Sequence, residues 1–262
     1  MSVKESTTFI KTNIGNIAVF QQIADSDKPP IIFLHGVYFD HHLWDAVIES
    51  IKDRTIITLD MPMHGMSKQL SKNDWTLDDC ADMLIEILHG LQLPKVIAIG
   101  HSWGSMTILR AAHKNSELFL SIGLCNMPFL VASKTKKLTL SIQHIMLTFR
   151  NFYSKQAAKA LFGKSSLNTN TSLTSQLKRT MDLLTIRQIK QTDRAVIGNA
   201  DDATELIKTL KVKALALKGE EDYVPAPPNL ETIIVKGGHV SPIENPNGVI
   251  EFVKRIVIKV EE

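Results

Sequence analysis

The sequence predicts an α/β fold: a doubly wound, mostly parallel sheet with helices on both faces. Three observations predict it. Short runs that are apolar at successive positions recur along the chain, as strands buried on both faces require. Amphipathic helical patterns alternate with these runs, and right-handed crossovers then lay the strands side by side. At 262 residues and 44% hydrophobic side chains, the chain is long enough to bury such a core.

The elements follow in order. "STTFIKT" (6–12) and "NIAVFQQ" (16–22) alternate in the manner of strands, and the turn signal "NIGN" joins them as a β-hairpin. "PPIIFLHG" (29–36), "RTIITLDMP" (54–62), "KVIAIG" (95–100), "LFLSIGLCNMP" (118–128), "VKALALKG" (212–219) and "LETIIVKGG" (230–238) are the buried strands. Between them, "HLWDAVIESI" (42–51), "TLDDCADMLIEILHGL" (76–91), "SMTILRAAHK" (105–114) and "NPNGVIEFVKRIVIKV" (245–260) carry helical spacing. Thr76 and Asp79 form a variant of the capping box at the start of the second. From about 129 to 201 the strand rhythm stops. "SKTKKLTLSIQHIMLTF", "SKQAAKALFG", "SLTSQLKRTMDLL" and "TIRQIKQTDRAVIG" read as three or four short helices, with Gly163, Asn168 and Asn170 as breakers. The expected organisation is therefore one α/β core, residues 1–128 and 202–262, interrupted by a Lys- and Arg-rich helical insertion at 129–201.

Composition narrows the function. A net charge of +3 is too weak to imply a nucleic-acid partner. Cys80 and Cys125 lie in apolar segments without metal or redox spacing, and read as buried free thiols. "MSVKESTTFIK" holds no apolar leader core, and no run approaches a membrane span, so a cytoplasmic protein without a membrane partner is expected. His41 and His42 have no third ligand at suitable spacing, so no metal is expected, and no cofactor either.

One short stretch carries the chemistry. Gly100-His101-Ser102-Trp103-Gly104 follows a predicted strand and precedes a predicted helix. A serine on such a turn is strained and exposed at the carboxyl edge of the sheet, and the Trp103 N–H at the helix start is free to bind an anion. A serine hydroxyl needs a base, and the base an orienting carboxylate. Among His113, His144 and His239, only His239, in "KGGHVSPIENP", stands on a loop just past a strand. The acid is expected after "VKALAL", where Asp222 competes with Glu220 and Glu221; the loop after "LFLSIGL" offers only neutral Asn126. A second N–H for the oxyanion belongs after the third strand, at Val37 in "FLHGVYFDHHLW", with His35 bracing that loop.

These motifs, "FLHG", "LDMPMHGMS", "GHSWG", "GEEDYVP" and "GGHVSPIENP", resemble the α/β-hydrolase superfamily, in its small, lidded serine branch, along nearly the whole chain. Met63 replaces a glycine of the family's D-x-P-G-H-G-x-S, which bears on the backbone of that turn. The resemblance implies an eight-stranded, mostly parallel sheet with a helical lid inserted after strand six. It carries catalytic roles onto Ser102, Asp222 and His239, and oxyanion roles onto Val37 and Trp103. The implied function is hydrolysis of a small or medium carboxylic ester or lactone through an acyl-enzyme. The same triad also suits perhydrolysis of the cofactor-free haloperoxidase kind, acyl transfer, C–C bond hydrolysis or a slowly hydrolysing small-molecule receptor. Serine at the nucleophile position argues against the haloalkane dehalogenase and epoxide hydrolase relatives, which carry Asp there. Tyr38, Phe39, Met127, Phe129, Leu130 and Val240 are the expected pocket residues, around a small-molecule substrate, in a monomer or homodimer.

Overall fold

The computed structural model describes residues 4–93 and 95–261. Met1, Ser2 and Val3, the first residues of the "MSVKESTTFIK" stretch, lie outside the described residues. Eight strands form one sheet: β1 (Lys4–Lys11), β2 (Asn16–Ile23), β3 (Ile31–Leu34), β4 (Ile56–Leu59), β5 (Val96–His101), β6 (Phe119–Cys125), β7 (Lys213–Gly219) and β8 (Thr232–Val235). Their order is β1-β2-β4-β3-β5-β6-β7-β8. The β1–β2 hairpin is antiparallel, β2 runs antiparallel to β4, and every later pairing is parallel. The central strands are buried along their whole length in β3, β4 and β5, which is why they read as unbroken apolar runs.

Eleven α-helices accompany the sheet in the described residues. In the core these are α1 (Asp45–Ile48), α2 (Leu77–Gly90) and α3 (Trp103–Lys114) before the insertion. The insertion holds α4 (Lys134–Ile145), α5 (Arg150–Leu161), α6 (Lys164–Thr169), α7 (Leu173–Asp182) and α8 (Ile186–Asp193). After it come α9 (Thr204–Lys208), α10 (Ser241–Glu244) and α11 (Pro246–Glu261). One layer packs α2 on α3, and α3 on β3, β5 and β6; the other packs α1 and α10 on α11, and α11 on β5–β7. The capping box of α2 is present with both reciprocal hydrogen bonds, Thr76 to the Asp79 N–H and Asp79 back to the Thr76 N–H. Such a cap is worth about 1 kcal/mol.

The insertion differs from its sequence reading in number. Four of its helices coincide with the four expected segments, and α6 is a fifth. Gly163 and Asn170 do bracket α6, but Asn168 lies inside it. The first segment breaks at a 3₁₀ turn, Met146–Thr148, after which Phe149 takes φ −97° and ψ 67°. No glycine or proline marks that break. The segment also closes on itself: the Ala203 N–H donates to Phe129 O at 2.8 Å, tying its two ends together beside the sheet. Among the described residues, no helix is long and apolar enough to cross a membrane.

Candidate active site

Ser102 is the hinge between β5 and α3. Its φ of 50° and ψ of −109° are unfavourable for a residue with a Cβ. Two close approaches hold it there. A Cβ on Gly100 would lie 2.3 Å from the Ser105 N, and one on Gly104 would lie 2.3 Å from Leu34 O, so only glycine lets α3 leave the strand this tightly. The Ser102 N–H donates to Cys125 O at 2.9 Å, which anchors the turn to the next strand.

The loops after β7 and β8 bring the partners. His239 Nδ1 lies 2.9 Å from Asp222 Oδ1, and its Nε2 lies 3.0 Å from Ser102 Oγ. A carboxylate only accepts, so Nδ1–H donates to Asp222 and Nε2 is left to accept from the serine hydroxyl. All three side chains are buried. Asp222 Oδ1 also accepts from the Val224 N–H at 3.0 Å, and Oδ2 from Asn126 Nδ2 at 2.8 Å. Burial works against the Asp222 charge, but the hydrogen bonds from His239, Asn126 and Val224 outweigh it and hold the carboxyl below its usual value. Tyr223 stacks on the His239 ring at 4.8 Å.

The competing groups are engaged elsewhere. Glu221 accepts from the Lys164 N–H at 2.7 Å and from the Ser165 N–H and hydroxyl, while Glu220 is exposed. His144 Nε2 lies 2.9 Å from Asp193 Oδ2. His41 and His42 place their Nδ1 atoms against Asp60 and Asp45, at 2.8 and 2.9 Å. No group of three or more metal-ligating side chains occurs among the described residues.

The loop after β3 lies against the serine: a Cβ on Gly36 would sit 3.2 Å from Ser102 Cβ. Neither the Val37 N–H nor the Trp103 N–H has a hydrogen-bond partner among the described residues. The Trp103 N–H, first in α3, has no intrahelical acceptor. The Trp103 indole is fully buried and stacks on Trp75 at 5.2 Å, so it packs beneath the turn and does not floor a pocket.

Three buried histidines brace these loops. His35 Nδ1–H donates to Gly36 O at 2.7 Å and its Nε2 accepts from the Met61 N–H at 2.8 Å. His64 Nδ1–H donates to Pro62 O at 3.0 Å and its Nε2 accepts from the Tyr38 N–H at 3.2 Å. His101 Nε2–H donates to His239 O at 2.7 Å. Burial pushes His35 and His101 down to about 3 and His64 to about 4, so all three are neutral at physiological pH.

Of the expected pocket residues, Tyr38, Phe39, Met127, Phe129 and Val240 are buried. Leu130 is the exception: it is 52% exposed, at the start of the insertion. Sequence reasoning missed three contributors. Asn126, set aside as a neutral residue at an acid's position, donates to Asp222 Oδ2. Glu244 accepts from the N–H groups of Gly163 and Gly238, each at 2.8 Å, and of Val240 at 2.9 Å, so it pins the insertion to the His239 loop. Asp193 accepts from the Tyr38 hydroxyl at 2.8 Å. The only sequence signal for any of these was the position of Asn126 just past a buried strand.

A family model described as the alpha/beta hydrolase fold matches residues 29–246. The chain belongs to this family. Among curated relatives of this α/β hydrolase is the (E)-2-((N-methylformamido)methylene)succinate hydrolase of Acinetobacter baylyi, 41% identical over 122 residues. That match spans 46% of this chain and 45% of the Acinetobacter enzyme. Among solved structures, an esterase from Thermogutta terrifontis superposes with a TM-score of 0.82 at 20% identity, covering 98% of this chain and all of that one. The enol-lactonase of Burkholderia xenovorans superposes with a TM-score of 0.84 at 15% identity, covering 96% and 100%. At these identities the two structures speak to the fold alone.

Proposed function

We propose that this hydrolase cleaves a small or medium carboxylic ester or lactone through an acyl-enzyme on Ser102. The observation that carries the reading is the hydrogen-bonded line from Ser102 Oγ through His239 to Asp222, on a serine held at positive φ. Ser102 attacks the carbonyl while His239 Nε2 takes its proton, and Asp222 holds the imidazole tautomer and stabilises the imidazolium. The N–H groups of Val37 and Trp103 receive the tetrahedral oxyanion. His239 then protonates the leaving alcohol and activates the water that releases the acid. The buried side chains of Phe39, Met127 and Phe129 suit an apolar acyl group. The Acinetobacter relative is itself a hydrolase, which supports the same general choice of reaction. Residues 129–201 serve as a lid over the edge. The substrate is a small molecule, and the buried thiols of Cys80 and Cys125 suit a reducing, cytoplasmic setting.

The test is a chain-length series of p-nitrophenyl esters beside a lactone panel. Turnover is expected on short and medium esters, and Ser102→Ala should lower it by about 10³-fold or more. Full turnover in Ser102→Ala would sink the assignment.

A further inference from the structure

Tyr38 is held at both ends. Its N–H donates to His64 Nε2 at 3.2 Å, and its phenol donates to Asp193 Oδ1 at 2.8 Å. Its φ is 70°, a left-handed conformation that a tyrosine keeps only where its surroundings over-determine it. Val37, whose N–H is the oxyanion donor proposed above, is its immediate neighbour.

The far end of this tether lies in the insertion. Asp193 ends α8, and its side chain is fully buried. Its second oxygen meets His144 Nε2 of α4 at 2.9 Å, and Tyr153 Oη of α5 lies 3.2 Å from Tyr38 Oη. A π-helical turn, Arg194–Gly198, begins directly after Asp193. Such turns interrupt helical regularity and recur where a side chain has a job beyond packing. Three helices of the insertion thus send polar side chains to one network, and its contact with the sheet edge is the residue beside Val37. A buried carboxylate is a poor filler compared with an apolar side chain of the same size, so packing does not account for it.

We propose that Asp193 is a positioning residue: by gripping Tyr38 it makes the shape of the oxyanion loop depend on the docked insertion, so that the Val37 N–H is set for the oxyanion only when the insertion is closed over the edge. The inference rests on Ser102 being the nucleophile. An oxyanion donor acts within a window of about 2.7–3.1 Å and stabilises the transition state more than the bound ester. Releasing Tyr38 should therefore lower kcat and leave KM nearly unchanged.

The experiment measures kcat and KM separately on p-nitrophenyl acetate for Tyr38→Phe, Asp193→Ala and Asp193→Asn, with thermal midpoints as folding controls. Tyr38→Phe and Asp193→Ala should lose about 10- to 100-fold in kcat with KM within about twofold. Asp193→Asn keeps an acceptor for Tyr38 and a donor for His144, and should recover most of the loss. A phenylboronic acid, which forms a tetrahedral adduct on the serine, should weaken in proportion to kcat/KM. Unchanged kcat in Tyr38→Phe, or a raised KM at unchanged kcat, would overturn the inference and make Tyr38 a pocket wall. If Asp193→Ala does not fold, Tyr38→Phe decides alone, because it removes a single oxygen. Ser102→Ala separates the two levels. An inactive Ser102→Ala beside fully active Tyr38 and Asp193 variants rejects this inference only, whereas an active Ser102→Ala rejects the proposed function and this inference with it.

Discussion

Ser102, Asp222 and His239 stand one to four residues beyond the ends of β5, β7 and β8. The helices of residues 129–201 reach the same edge through individual hydrogen bonds: Glu221 and Glu244 of the core accept from N–H groups at 163–165, the His239 N–H donates to Leu161 O, and Gln188 Nε2 donates to Met63 O. The first region is located by a buried sheet ladder; the second joins the same hydrophobic cluster through side chains such as Leu147, Phe162, Leu177 and Ile189, and these polar contacts set where it rests. Charge separates them too. Residues 129–201 carry 12 Lys and Arg against 3 Asp, while the rest of the chain carries 18 Lys and Arg against 24 Asp and Glu. Opposite net charge favours docking at long range but fixes no geometry; the acceptors at Glu221, Glu244 and Asp193 do that. The polar contacts at the edge are therefore where the two regions can be tested separately.

Acid should break the core side of this comparison most. His35, His64 and His101 have folded values of about 3 to 4 against 6.5 for a free histidine, so below about pH 6.5 the unfolded chain binds protons that the folded chain does not. Stability is full above that value and falls as pH drops, by up to about 1.4 kcal/mol per pH unit for each histidine. Denaturant titrations at pH 7 and pH 5 measure it. An unchanged midpoint would mean that the three are not neutral braces.

Glu244→Ala sharpens the other side. Losing the acceptor for Gly163, Gly238 and Val240 should destabilise by about 1.5–3 kcal/mol, the range for hydrogen bonds to a charged group. Amide exchange should rise at 161–165 and 238–240 and stay unchanged in α2. A uniform rise across the sheet would show that insertion and core unfold as one unit. Asn126 sits at φ 50°, and Asn126→Asp keeps the shape and the tolerance of positive φ but replaces the donor to Asp222 with an acceptor. Turnover should fall about tenfold, on the order of 1.4 kcal/mol, without loss of the fold. Equal activity would leave the Val224 N–H as the sufficient support of the Asp222 carboxylate.

The smallest effect is expected at Met63, where this chain departs from the glycine of the family motif. Its φ is 70° and its side chain is 7% exposed. Glycine would relieve about 1–2 kcal/mol of strain and forfeit about 1.5–3 kcal/mol of burial. Met63→Gly should therefore destabilise by about 1 kcal/mol, read from the thermal midpoint. A gain in stability would show that strain outweighs burial at this turn.

The strands and the serine turn were legible because their signals are local. A run such as "VIAIG" declares burial on both faces, and a serine between Gly100 and Gly104 declares a tight turn, without reference to the rest of the chain. The break at Met146–Thr148 had no such marker, and α6 rests on Glu221, some 56 residues away. Tyr38 reads as a pocket residue from its place beside Val37. Its phenol also meets Asp193, 155 residues on, a pairing that no window of sequence contains.

By itself, then, the sequence determined the alternation of strands and helices and the strained serine turn, since periodicity and glycine placement act within a few residues. Only the tertiary structure decided which carboxylate meets His239, which tautomers the buried histidines keep, and where the insertion rests. Those depend on which polar atoms find partners across the fold, and a buried group's partner is set by proximity in space rather than by spacing along the chain.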